Sequence, residues 1–250
     1  MAVLRSLLHM AWMLVTVIPV AMVLLGAAAL QFNGKRLYRI AVFWLGLAIS
    51  GARYILGIRY VVEGRDNLPA AGQPVVLLVK HQSTYETFLM PVIMPSDLAY
   101  VFKRELLYVP FFGWAIGRLD MVHIDRQLKS QAFNRVVQQG RELLARGIWV
   151  IMFPEGTRIA RGQAGKYKSG GARLAIETGV PVVPVAVNSA VCWPRKAFIK
   201  YPGTVTVSIG PMISSQGRQA DELMADVQHW IENEMHRIDP MAYVTNVNNP

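Results

Sequence analysis

The sequence predicts an α/β fold, a largely parallel central sheet covered by helices, preceded by an amino-terminal apolar helical membrane anchor. Three observations carry this. With His9 neutral, residues 6–34 hold no charged side chain, and "AWMLVTVIPVAMVLLGAAAL" is apolar almost throughout. After Arg59 the chain changes to short apolar runs, "VVLLV" (75–79), "LAYVF" (98–102), "IWVIMF" (148–153) and "VVPVAV" (182–187), separated by amphipathic stretches. Those runs are continuous rather than alternating, the pattern of strands buried on both faces.

Composition narrows the partners. The 250 residues allow one large domain, or one domain with an appendage. Lys and Arg number 26 against 16 Asp and Glu, a formal charge of +10, which points to an anionic partner. That partner could be nucleic acid, an anionic membrane surface or a phosphate-bearing substrate; with hydrophobic residues at 53% of the chain and charged ones at 17%, the membrane reading leads. The single cysteine, Cys192, excludes an internal disulfide framework and a cysteine-rich zinc site, and reads as a small buried hydrophobe.

The anchor occupies residues 1–58. Its first apolar segment exceeds the roughly 20 residues needed to cross a bilayer core, and Pro19 is tolerated in such a segment. A signal peptide, suggested by Arg5 and "GAAALQ", fits less well, because the apolar stretch is long and a second follows at residues 40–52. Those 13 uncharged residues suit an interfacial or re-entrant segment. Lys35, Arg36 and Arg39 between the two favour the cytoplasmic side. Either the first segment crosses and the amino terminus lies outside, or both dip into one leaflet as a hairpin; the sequence leaves both open.

Residues 59–250 form the α/β domain. Besides the four runs above, "TVTVSI" (204–209) alternates and reads as a strand with one more polar face. Residues 129–146 place Phe133, Val136, Val137, Gly140 and Leu144 on one helical face, residues 218–238 form a final helix, and "VTNVNNP" is a frayed tail.

In such sheets sites form where strands end and loops begin. After the run 75–79 comes "KHQSTYE", with His81 five residues before Glu86. On one helix that spacing would leave them roughly 140° apart, so they meet only if His81 lies on the loop before the helix. "STYE" is also a capping box, Ser83 as N-cap with Glu86 three positions on, which any ordinary helix start would explain. After the run 148–153 comes "PEGTR", where Gly156 permits a sharp turn and Arg158 offers a fork for phosphate; a plain turn with a solvated arginine is the bland alternative. "KRELLYVPFFGW" (103–114) brings Lys103 and Arg104, breaks at Pro110 and Gly113, and an aromatic patch of Tyr108, Phe111, Phe112 and Trp114; "HIDR" (123–126) adds another arginine. Cations at three strand exits, one with a histidine beside a carboxylate, point to a phosphate-binding site with an acid/base group.

These blocks resemble the glycerolipid acyltransferases, specifically 1-acylglycerol-3-phosphate (lysophosphatidic acid) acyltransferases, over roughly residues 60–200. His81 and Glu86 match the histidine-x4-acid block; Lys103, Glu105, Leu106, Pro110 and Gly113 match the second; "FPEGTR" (153–158) the third; "VPVVPV" (180–185) the fourth. Two letters depart: the acid is most often aspartate, here Glu86, and the residue before the histidine is commonly asparagine, here Lys80. The resemblance implies His81 as general base oriented by Glu86, with Lys103, Arg104, Phe153, Pro154, Glu155, Gly156, Thr157 and Arg158 binding substrate. It implies no metal and no cofactor, an acyl-CoA or acyl carrier protein thioester as co-substrate, and lysophosphatidic acid as acceptor. It also implies membrane lipid as partner, and catalysis on the cytoplasmic face of the inner membrane. The same chemistry on another lyso-lipid acceptor, a lysophospholipid or an acylated amino-acid lipid, is the alternative. A serine hydrolase fits less well, since no "GxSxG" elbow occurs, and a nucleic-acid-binding module has only the charge in its favour.

Overall fold

Apolar patterning at the amino terminus resolves into two helices that run out and back. In a computed structural model, α1 (Ala2–Ala29) and α2 (Gly34–Gly51) are joined by a short turn, and α2 continues into a π-helical turn at Ala52–Leu56. The structure describes the chain apart from residues 71, 125–128 and 245–250, and apart from the side chains of residues 103, 123, 124 and 129–133. Asn33 caps α2 by accepting from the Arg36 N–H. The helices are antiparallel: His9 Nε2 lies 3.1 Å from the Ala48 carbonyl, Trp12 Nε1 donates to Leu47 O, and Trp44 Nε1 donates to Thr16 Oγ1.

The second apolar segment is longer than expected from its charge-free core. It runs 23 residues from Gly34 to Leu56, because Lys35, Arg36 and Arg39 ride in its first turns and Arg53 in its last. By length and composition alone, both helices could cross a membrane. The amino end of α1 is tied to the body, since the Lys200 N–H donates to Ser6 Oγ at 2.9 Å. The two helices thus form an antiparallel hairpin whose amino end rests on the body.

Among the described residues seven strands make one sheet: β1 (Ile58–Glu63), β2 (Val76–Val79), β3 (Leu98–Lys103), β4 (Val122–Ile124), β5 (Trp149–Met152), β6 (Val182–Val187) and β7 (Gly203–Ile209), in the order β1-β7-β6-β2-β5-β3-β4. Of the pairings between these strands, β6–β7 is antiparallel and the others are parallel. β1 escapes a reading based on apolar runs because it is an edge strand with only Ile58 fully buried. The central strands alternate between two cores, as the pleat requires. Leu77 and Val79 face the hairpin and α3 (Tyr85–Ile93), whereas Val76 and Leu78 face α5 (Lys129–Ala145), α6 (Gly170–Thr178) and α7 (Ala220–Ile238). Burial on both faces is why these strands read as unbroken apolar runs. The helix expected at 129–146 buries Val136, Gly140 and Leu144 as anticipated; the side chain of Phe133, most of "HIDR" and nearly all of the terminal tail lie outside the described residues.

The hairpin shares a core with the sheet. Trp44, Ala48, Ile49, Ala52 and Leu56 pack in one cluster with Leu77, Ile151, Val183 and Val205. Full burial of side chains such as Ile49 and Leu56 is worth about 1.5–3 kcal/mol each, against a total folding margin of about 5–15 kcal/mol. Deletion of residues 1–56 should therefore leave residues 57–250 unable to fold as a soluble monomer. A soluble truncated protein with a cooperative melt close to that of the full chain would contradict this packing.

Candidate active site

β2 ends at Val79 in the middle of the sheet, between β5 and β6, and the Lys80 N–H still donates to Val185 O at 2.9 Å. The chain then crosses a short loop before α3 begins at Tyr85. Glu86, in the first turn and fully buried, reaches back over that loop. Its Oε1 accepts from the Gln82 N–H at 2.8 Å and the Ser83 N–H at 2.6 Å, and lies 2.9 Å from His81 Nδ1. Its Oε2 accepts from Ser189 Oγ at 2.6 Å. The return half of the expected capping box is thus present. The forward half is displaced: Ser83 Oγ accepts from the Tyr85 N–H, and Thr84 stands at the N-cap. A carboxylate only accepts, so Nδ1 carries the proton toward Glu86, and in the neutral ring Nε2 is left as the basic nitrogen.

The "FPEGTR" segment holds His81 from the other side. The Phe153 ring stacks on the imidazole, centroids 3.9 Å apart and planes 15° from parallel. The Ile159 N–H donates to His81 O at 2.8 Å, and the His81 N–H donates to Glu155 Oε2 at 2.8 Å. Gly156 has φ +66°, a left-handed conformation that suits glycine. Glu155 turns away from the cavity that His81 lines. It is 4% exposed and does not line the cavity described below, because its carboxylate turns inward to the His81 N–H and to Lys80. Burial pushes its carboxyl up, to about 7, against the opposing pull of Lys80 and the His81 N–H.

His81 lines a cavity of about 750 Å³. Its apolar lining comes from the hairpin and neighbouring elements, Val17, Ala21, Tyr38, Trp44, Phe88 and Phe112 among them. The same cavity is lined by Pro154, Gly156, Thr157 and Arg158 with three more cations, Lys168, Arg195 and Lys196. Arg195 donates to the Arg158 carbonyl at 2.7 Å, and Arg158 Nε is buried without a hydrogen-bond partner among the described residues. Lys168, Arg195 and Lys196 carry no sequence pattern; only their place in the fold brings them here.

The second block divides. Arg104 is exposed in the 3-10 turn Arg104–Tyr108 and lies outside the cavity lining, and the Lys103 side chain lies outside the described residues. Phe111 (φ 60°, ψ −60°) centres a tight turn in which the Phe112 N–H donates to Pro110 O. That turn opens α4 (Phe112–Ile116), directs Phe112 toward Trp44 and the cavity, and puts Gly113 where an added Cβ would lie 2.3 Å from Leu106 O. The expected aromatic patch is therefore split, with Tyr108 and Trp114 exposed. Cys192 is buried, and burial raises its thiol to about 11, as suits a packing residue.

A family model described as Acyltransferase matches residues 59–188. The chain is 45% identical over 219 residues to the 1-acyl-sn-glycerol-3-phosphate acyltransferase of Pseudomonas aeruginosa, covering 86% of this chain and 83% of that protein. Against the human 1-acyl-sn-glycerol-3-phosphate acyltransferase alpha the identity is 30% over 184 residues, 72% of this chain and 64% of the human protein. The crystal structure of the 1-acyl-sn-glycerophosphate (LPA) acyltransferase PlsC from Thermotoga maritima matches with a TM-score of 0.79 at 22% identity, over 95% of this chain and 96% of that one. At that identity the likeness is one of fold.

Ser189 is the contact to test. Ser189→Ala leaves Glu86 Oε2 buried without its donor, at an expected cost of about 1–3 kcal/mol in stability and a turnover at least about tenfold lower. Thermal melts and initial rates check this; an unchanged rate with an unchanged melt would remove Ser189 from the site.

Proposed function

The chain belongs to the acyltransferase family, and from that premise we propose that it transfers a fatty acyl group from an acyl thioester to the sn-2 hydroxyl of lysophosphatidic acid, giving phosphatidic acid. One observation carries the reading: His81, with Nδ1 committed to Glu86, lines a cavity that also carries a large apolar wall and four cations. Both substrates are amphiphiles, and such a cavity offers surface for an acyl chain and charge for a phosphate beside the base.

An alcohol is a poor nucleophile at neutral pH, so Nε2 of His81 takes the hydroxyl proton as the oxygen attacks the thioester carbonyl. Glu86 keeps the ring in place and balances the charge that it acquires. The tetrahedral intermediate collapses with cleavage of the C–S bond, and the departing sulfur takes the proton from the imidazolium. The new ester oxygen is the acceptor's, so no covalent enzyme intermediate is needed. Arg158 clamps the acceptor phosphate, assisted by the cations beside it. The thioester is that of CoA or acyl carrier protein.

The surface agrees with work at a bilayer. α1 exposes Leu4, Leu7, Leu8, Leu14 and Val15, and Tyr108 and Trp114 are exposed on the segment beside it. In this reading the hairpin enters one leaflet and Lys35, Arg36 and Arg39 keep the active site on the cytoplasmic face.

Purified protein given lysophosphatidic acid with acyl-CoA or acyl carrier protein donors should yield phosphatidic acid by mass spectrometry. His81→Ala should lower the rate by at least about 10²–10⁴-fold without loss of folding or membrane association. Arg158→Ala should raise the acceptor KM far more than the donor KM. Equal activity on acceptors lacking a phosphomonoester would transfer the proposal to another lyso-lipid.

A further inference from the structure

Lys80 takes no part in the chemistry above, yet it is 0% exposed and stands directly before the proposed base. Its Nζ has three donors and meets three acceptors. Glu232 Oε1 of α7 accepts at 2.6 Å, the Gln163 carbonyl accepts at 3.2 Å, and Glu155 Oε1 lies 2.9 Å away as an ion-pair partner. Tyr167 OH donates to the same Glu232 oxygen at 2.8 Å, and the Tyr167 ring faces Nζ at 5.9 Å. The other oxygen of Glu155 accepts from the His81 N–H. A continuous path of short contacts thus runs from α7 through Lys80 and Glu155 to the backbone of His81.

We propose that Lys80 and Glu232 are positioning residues for the reaction: together they fix the Glu155 carboxylate, which fixes the His81 backbone and so the place of the base in the cavity. The inference rests on the reading of His81 as base. Stability alone explains this arrangement poorly. A buried ion pair is commonly no better for stability than well-packed apolar residues of the same volume, because desolvation offsets the Coulombic gain. What an apolar side chain cannot do is hold one oxygen of Glu155 so that the other meets the His81 N–H. Glu86 fixes the ring and Glu155 fixes the main chain, so the base is held at two points from opposite sides. Displacement of a reacting group by about 1 Å is enough to cost on the order of 10²-fold in rate, which makes the second point as consequential as the first.

The test uses the full-length protein with Lys80→Met, of similar volume and no charge, and Glu232→Gln, which leaves Lys80 neutralised by Glu155. Turnover, both KM values, the melting temperature and hydrogen exchange at the His81 amide are measured for each. Lys80→Met should lower kcat by about 10- to 100-fold, leave both KM values within about twofold, and speed exchange at His81 by roughly tenfold or more. Glu232→Gln should move kcat and exchange in the same direction by about 3- to 10-fold, and carries the test should Lys80→Met not fold. A folded variant with unchanged kcat, or unchanged exchange at His81, overturns the proposal; so does a lower melting temperature as the sole effect. Failure of the underlying reading looks different: His81→Ala would keep its turnover, whatever the exchange results in the other variants.

Discussion

The Glu86 carboxylate is fully buried, and burial of an anion is tolerable only if its oxygens are met. Here they are met by His81, by two main-chain N–H groups of the loop and by Ser189. That requirement reaches across the fold. β2 must end at Val79 so that the loop can wrap the acid, α3 must begin at once so that Glu86 points back, and β6 must lie beside β2 so that the turn after it delivers Ser189. The parallel β2–β6 pairing brings two carboxyl ends together, which is why groups so far apart in sequence converge on one carboxylate.

The amino-terminal hairpin meets a different constraint. Lipid substrates need a wall against which an acyl chain can lie, and in this chain that wall belongs to α1 and α2 as much as to the α/β body. The residues that read as an anchor therefore have two apolar sides. Leu4, Leu14 and Val15 face outward, while Trp44 and Leu56 enter the core and Val17 and Ala21 line the cavity. A helix apolar all round is what such double duty demands, and it is indistinguishable in sequence from a simple membrane segment.

Legibility followed the range of the interactions. Residues 76–79 were plain because both faces of the strand are buried, whereas Ile58–Glu63, an edge strand, offered one buried residue and no pattern. His81 and Glu86 were legible because their partnership is local: loop, cap and acid lie within six residues. Ser189 lies 103 residues from Glu86 and leaves no trace in the sequence. Lys168, Arg195 and Lys196 are likewise scattered cations until the fold gathers them. Adjacency in a motif does not fix where a side chain points. Glu155 sits beside Gly156 in sequence, but its side chain turns into the body; Arg104 follows the end of β3 and is exposed.

Lys80 shows why a departure from a family's pattern is best read together with the residues around it. In the proposed mechanism, a lone cation beside His81 would oppose the positive charge that the imidazole acquires as it takes the substrate proton. Two carboxylates remove that opposition, and one of them, Glu155, sits in the motif itself. The other lies 152 residues away on the last helix, where nothing in the sequence marks Glu232 as special among the acids of an amphipathic surface. With both in place the charge of the lysine is balanced, and its hydrogen bonds to Gln163 and Glu232 and its ion pair with Glu155 tie three separate segments to the loop that carries His81. A residue that would be costly in isolation thus becomes a constraint on geometry, and under the proposal α7, far from His81 in sequence, becomes part of what positions that residue.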